Sequence, residues 1–178
     1  WSLSGWDGNH DEMDVQTLLQ RYARGERNFR ELNLSGFSLR RVDLNGADLG
    51  GADLVGTDLS EANLQGAILS GANLSGANLR RANLMQAKLI LAMLRGANLE
   101  RAELVGATLN KADLGWANLN YTNFSGADLT AANLTDAQWH GTVLRGANLR
   151  QAKGNWNQDD FKQAKLSWTI MPNGTTQR

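Results

Sequence analysis

Asp43, Asp48, Asp53 and Asp58 follow one another at intervals of five. Carboxylates that converge can pass a proton as acid and base or close around a hard cation. Two histidines, His10 and His140, are the other side chains able to titrate near neutrality or bind a metal. Cysteine is absent, which removes disulfides, thiolate metal sites and a cysteine nucleophile and leaves the redox compartment open. Neither an HExxH pair nor a Walker or dinucleotide loop is present, and the glycines recur at five rather than gathering around a phosphate. Whether the four aspartates can meet depends on what structure a period of five builds.

From Leu34 to Leu149 every fifth residue is Leu, save Phe124 and Trp139, which makes 24 positions in one unbroken register. Two residues before each, 18 of the 24 are Ala, the others being Leu32, Phe37, Val42, Thr57, Thr122 and Thr142. Between them stands Asn or Asp 16 times, and half of the repeats carry Gly two residues after the leucine. An α-helix turns about 100° per residue, so leucines five apart would wind around it without forming a stripe. On a straight strand, five steps reverse the face. Short extended pieces, each followed by a corner, satisfy the spacing, because Ala and Leu then share one face. The chain must coil around its own leucines, with Leu34, Leu54, Leu74, Leu94, Leu114 and Leu134 in its core. Ala beside Leu predicts a narrow interior, and the Asn and Asp residues are expected to face outward and stack from coil to coil as a polar ladder. Gly suits a corner with positive φ, while Arg41, Arg81 and Trp116 at the same place predict a second turn type at some corners.

The quintets "GANLSGANL", "GADLGGADL" and "GANLERAEL" resemble the pentapeptide repeat family over about residues 29 to 153. The resemblance implies an all-β solenoid, a right-handed quadrilateral β-helix with four quintets per coil. Twenty-four quintets then make six coils, and at about 4.8 Å per coil the rod is on the order of 30 Å long. Asp43, Asp48, Asp53 and Asp58 would ring one coil of such a rod, each on a different face, and could not share a pocket. His140 takes an outward place after Trp139, and His10 lies in the tail or at the start of a helix. The pattern therefore predicts no enzyme, no cofactor and no metal site.

Open solenoid ends need covering. Residues 1–9 read as a flexible tail and residues 10–28 as an N-terminal capping helix, in which Val15, Leu18, Leu19, Tyr22 and Ala23 form one apolar face that Gly25 can stop. After the β-helix of residues 29–153, residues 154–178 read as an irregular C-terminal cap and tail. The register breaks at "GNWNQDD" and resumes two residues out of phase with Phe161 and Leu166. Trp139, Trp156, Phe161, Trp168, Ile170 and Met171 make this end the most aromatic; the resemblance adds a homodimer contact there as an alternative to a cap.

Binding is the function class the pattern favours, since a rod displays outward residues in columns 20 apart. The unusual stretch is "NLMQAKLILAMLRG", where Met85, Ile90, Leu91 and Met93 hold outward places, with Val105 one coil after Met85 and Ile68 replacing Asn or Asp one coil earlier. Contiguous exposed apolar surface marks interfaces. Trp116 and Tyr121, on consecutive corners, are a second candidate contact. Arg41, Glu61, Arg81 and Arg101 fall in one column, with Arg40, Arg80 and Glu100 in the next, a solvated face or an electrostatic grip. The leading expectation is a non-catalytic scaffold for an unidentified protein partner. The alternative, from the resemblance, is a DNA mimic acting on gyrase or topoisomerase. That role needs a strongly acidic rod, whereas Leu32 to Lys153 carries eleven bases and ten acids.

Over the whole chain, 18 acids balance 18 bases, yet residues 1–60 hold ten acids against six bases and residues 140–178 two against six. No nucleic-acid partner is expected from this balance. Membrane insertion is not expected either, because no apolar run nears the roughly 18 residues a spanning helix needs. The chain begins with Trp1 rather than Met, which leaves room for an upstream targeting segment. The resemblance favours a cyanobacterial-type protein of the cytoplasm or the thylakoid lumen.

Overall fold

The computed structural model describes residues 13–155 and 161–178, and in it the chain turns a corner after every interior leucine. Each of the 24 register residues accepts, at its carbonyl, the N–H three places on, as in Phe37 N to Leu34 O at 3.1 Å and Ala97 N to Leu94 O at 3.0 Å. The third residue of every such turn has positive φ, the type II pattern. Gly46 and Gly96 sit at 66°, but Arg41 at 59°, Arg81 at 57° and Trp116 at 61° adopt the same conformation. The second turn type expected at Arg41, Arg81 and Trp116 is therefore not used. One turn serves all corners because the third residue points into solvent. At most corner glycines nothing stands within 4 Å of where a Cβ would be. Only the local penalty of left-handed backbone, about 1 kcal/mol, opposes a larger residue.

The outward Asn and Asp residues earn their place locally. In all 16 cases the side-chain Oδ1 accepts the N–H of the residue two places on, which opens the corner, as in Val55 N to Asp53 Oδ1 at 3.1 Å. This Asx turn satisfies a backbone donor that the coil leaves over. The expected ladder between coils is present but sparser. Asn63 donates to Asp43, Asn83 to Asn63, Asn78 to Asp58, Asn133 to Asp113 and Asn123 to Glu103.

Between corners three residues stay extended, and the middle one pairs in parallel with the residue 20 later, from Asn28 with Asp48 to Asn133 with Lys153. An interval of 20 means four quintets per coil and four walls, named here by their first interior residues: Phe29, Leu34, Leu39 and Leu44. Asp53 shows the bonding, donating to Leu32 O at 2.9 Å and accepting from Leu34 N at 2.7 Å. Inside, Leu34, Leu54, Leu74, Leu94, Leu114 and Leu134 are at most 1% exposed. Thr57, Thr122 and Thr142 take the small inward place of Ala, and each buried hydroxyl donates to the carbonyl of the leucine 23 residues earlier. A hydroxyl is tolerated there because that carbonyl lies within reach.

At the start, Asp14 caps helix α1 (Val15–Ala23) by accepting from Thr17 N, and Gly25 at φ +94° follows its end. Leu18 of α1 is buried in the same core as Phe29 and Leu34, with Val15 and Tyr22 packed against it. At the far end the pairing interval lengthens to 22, Val143 with Lys165 and Asn148 with Ile170. Strand β1 (Thr169–Ile170) then pairs antiparallel with β2 (Thr176–Gln177), so the last residues fold back along the free edge of the Phe29 wall. The sequence features at residues 1–9, His10, Trp156, Asp159 and Asp160 lie outside the described residues.

Interior and corner should respond oppositely to truncation. Leu94→Ala is expected to cost about 2–5 kcal/mol in denaturant unfolding. Leu91→Gly, on the same coil at φ 59°, should leave the midpoint unchanged or raise it. A comparable loss in both variants would refute this division of roles.

Candidate functional site

Seven large apolar side chains are exposed among the described residues: Val55, Ile90, Leu91, Met93, Trp116, Tyr121 and Trp168. Five of them border one wall, the Leu34 wall. Ile90 and Leu91, 40% and 59% exposed, form the corner that enters it. Met93, 43% exposed, stands at its centre. Val55 and Trp116, 39% and 59% exposed, stand on the corner that leaves it. Gly56, Gly76 and Gly96 lie along that leaving corner and Gly51 and Gly71 along the entering one. Charge stands beside them as well, with Lys111 one coil after Leu91 and the Arg95–Asp113 ion pair next to Met93 and Trp116.

Of the residues singled out by sequence, Ile90, Leu91, Met93 and Trp116 share this wall, whereas Met85, Val105 and Tyr121 do not. Met85 and Val105 are half-buried on the corner between the Leu44 and Phe29 walls. Tyr121 occupies the corner between the Leu39 and Leu44 walls, with its ring lying where a Cβ on Gly141 would be. His140 meets it edge-on at 5.3 Å and the Arg101 guanidinium lies 5.0 Å from its centroid, so its surroundings are those of a packed corner. Val55 escaped the sequence reading, because a single valine in "DLVGTDL" gains meaning only once residues 20 apart are known to stack.

The local bonding rule is also broken at Met93 on this wall, and at Ile68 and Lys88 on the Phe29 wall that precedes it. Ile68, Lys88 and Met93 stand where most repeats carry Asn or Asp, and each forfeits the side-chain acceptor for the next corner. Met93 gives up that acceptor, and Leu91 and Trp116 accept left-handed backbone at φ 59° and 61°.

The columns of charge are largely self-neutralised. Arg40 and Arg41 both reach Glu61 at 2.9 Å, and Glu100 takes Arg80 at 3.7 Å and Arg101 at 3.4 Å. Asp43, Asp48, Asp53 and Asp58 pair on the Leu44, Phe29, Leu34 and Leu39 walls in turn. They do not converge, and no cluster of three or more His, Asp or Glu able to hold a metal occurs among the described residues.

With this geometry in hand, comparison with known proteins is informative. A family model described as "Pentapeptide repeats" matches residues 28–60, 57–96, 82–120 and 122–153, in 8 copies. Among solved structures the chain is similar to HetL, a pentapeptide repeat protein involved in heterocyst differentiation regulation from the cyanobacterium Nostoc sp. strain PCC 7120. The two are 32% identical over 93% of this chain and 100% of that one, with a TM-score of 0.44. It is similar to a pentapeptide repeat protein of the cyanobacterium Cyanothece 51142, at 29% identity over 78% of this chain and 97% of that one, TM-score 0.50. A pentapeptide repeat protein of the Arabidopsis thaliana thylakoid lumen is 29% identical over 65% of this chain and 72% of that one, TM-score 0.42. A search of curated proteins found no match.

Several carboxylates depend on the corner bonds. Hydrogen bonds from Ser60 hold Asp58 below the usual carboxylate range, and hydrogen bonds from Arg41 and then Arg40 do the same for Glu61. Burial pushes Asp128 upward, but bonds from Thr130 and Asn110 outweigh it. A folded-state pKa below the unfolded value contributes stability above the ordinary carboxylate range, and that contribution is lost as pH falls through the lowered value. Glu61→Gln should therefore melt below wild type at pH 7, and the gap should close below about pH 4. A gap that stays constant on acidification would show that the arginine pairs contribute nothing.

Proposed function

The chain belongs to the pentapeptide repeat family, whose fold is a right-handed β-helix solenoid, and from that premise we propose that it is a non-catalytic scaffold that binds a protein partner along its Leu34 wall. The observation that carries this reading is the gathering of Val55, Ile90, Leu91, Met93 and Trp116 on one wall, where five of the seven exposed large apolar groups lie. Four are corner residues and the fifth displaces an Asx turn, so none is there to fill the core. An exposed Trp beside large aliphatics, flanked by the charges of Arg95, Lys111 and Asp113, has the make-up of an apolar interface centre with a polar rim. In this reading α1 covers the first coil through Leu18, which leaves the side walls as the recognition surface.

Weighing against the DNA-mimic alternative, the rod is near neutral and Glu61 and Glu100 are already paired with arginines. No helix among the described residues is long and apolar enough to cross a membrane.

The wall can be tested with substitutions that make the repeat more regular. Leu91→Gly, Met93→Asn and Trp116→Gly each install the residue commonest at that place among the repeats. The triple variant is expected to melt at or above wild type while losing the partner that wild type captures from a native lysate. Tyr121→Ala, on another corner, should retain it. Capture of the same partner by the triple variant at undiminished yield would overturn the assignment.

A further inference from the structure

The centre of the Leu34 wall is a column of seven stacked levels, from Asn33 to Lys153, and Met93 is the fourth. Leu91 stands at the same level on the corner that enters the wall. These apolar groups therefore lie midway along the wall, with three levels on either side. A two-fold axis relating two copies of a wall pairs each level with the one equally far from the axis, and it must bring together surfaces that complement themselves. The midpoint is where an axis crossing this wall would lie.

Two rods set antiparallel, wall against wall, bring the first level to the seventh, the second to the sixth and the third to the fifth. Along the centre of the wall Lys153 then faces Asn33, Asp53 faces Asn133 and Asp113 faces Asn73, so every charge in the column meets an amide. Along the entering corner Glu31 faces Gln151 and Lys111 faces Gly71, while Leu91 and Met93 meet their own copies. On the leaving corner Trp116 comes level with Gly76, where nothing stands within 4 Å of a Cβ position. Arg95 does meet its own copy, but each is tied to Asp113 of its own rod at 3.9 Å. Arg30 and Arg150 come level at the outer margin, where Arg30 is tied to Asp48 and Arg150 lies beside Gly174. Parallel rods fail the same test, because a two-fold along the rod opposes Asp53, Asp113 and Lys153 each to its own copy.

From this complementarity we propose, resting on the partner wall proposed above, that the occupant of that wall is a second copy of the chain, docked antiparallel about a two-fold axis at Met93. Pairing removes Leu91 and Met93 from water against each other and leaves the charged corners at a wet rim. A wall about 34 Å tall and one quintet wide is a small interface, at the reversible end of protein pairs. Concentration therefore sets the fraction paired.

Light scattering across a dilution series of the full chain tests it. The mass should rise from one chain at about 1 μM toward two at about 1 mM. Leu91→Gly/Met93→Asn should weaken pairing about 30-fold or more and stay monomeric at the upper concentration. Because the chain holds no cysteine, one introduced thiol reports the register. Leu91→Cys lies at the level of the axis and should be joined to its copy by a bis-maleimide spanning about 10 Å, the spacing of stacked sheets. Gly56→Cys, on the second level and so four levels from its own image, should not be joined. A wild type that is monomeric at about 1 mM, or cross-linking of Gly56→Cys as readily as of Leu91→Cys, overturns the proposal. A monomer whose wall still takes another protein from the lysate leaves the partner wall standing, whereas wall variants that alter neither pairing nor capture overturn both.

Discussion

A turn closed every five residues, with its third residue in left-handed backbone, is the constraint on which this structure depends. It leaves three extended residues per wall. Only the middle one can exchange both of its backbone groups with neighbouring coils, so regular strands shrink to single paired positions such as Asp53 between Asn33 and Asn73. The first and third of the three, Ala and Leu, must then point inward together. The narrow Ala–Leu interior, the parallel stacking at intervals of 20 and the outward Asx position all follow from one repeated local geometry. No single quintet buries its leucine alone, so the geometry is worth adopting only when coils stack on both sides.

The same turn sorts positions by what they cost. Interior leucines and inward alanines are fully enclosed, and a change there opens a cavity or forces a clash. Corner residues stand in open solvent, where the penalty is backbone strain of about 1 kcal/mol and nothing else. The rod can therefore carry Arg, Trp, Tyr or Leu at the positions where it also carries Gly, and diversity accumulates at the corners. Large apolar groups that accept this strain without gaining burial, as Leu91 and Trp116 do, need a reason outside the fold. Tyr121 shows the contrast, since its ring recovers contact with Gly141, His140 and Arg101.

Much of this was legible from residue spacing, because a period of five is compatible with neither a helix nor a flat strand. The interior leucines, the inward alanines and the outward Asn and Asp follow from that alone. The uniformity of the corners was not legible. Arg41 and Trp116 argue for another turn type when propensity is weighed one residue at a time, yet the stacked coils impose a single backbone on every corner. The Asx turns were hidden for a related reason: a polar ladder and a local bond to the next corner predict the same residue types at the same spacing, and only geometry separates them. The candidate site was half legible. Exposed apolar residues can be read from a single stretch, but the wall they share depends on which residues stack 20 apart, which joined Val55 to Trp116 and detached Met85, Val105 and Tyr121.

Side walls and ends therefore answer to different physics. A wall is a short flat sheet whose character is set coil by coil through columns, so it can collect apolar groups on one side while its neighbours collect paired charges, as Glu61 and Glu100 do with the arginines around them. An end is a cross-section of the whole coil, where groups from every wall meet the same plane.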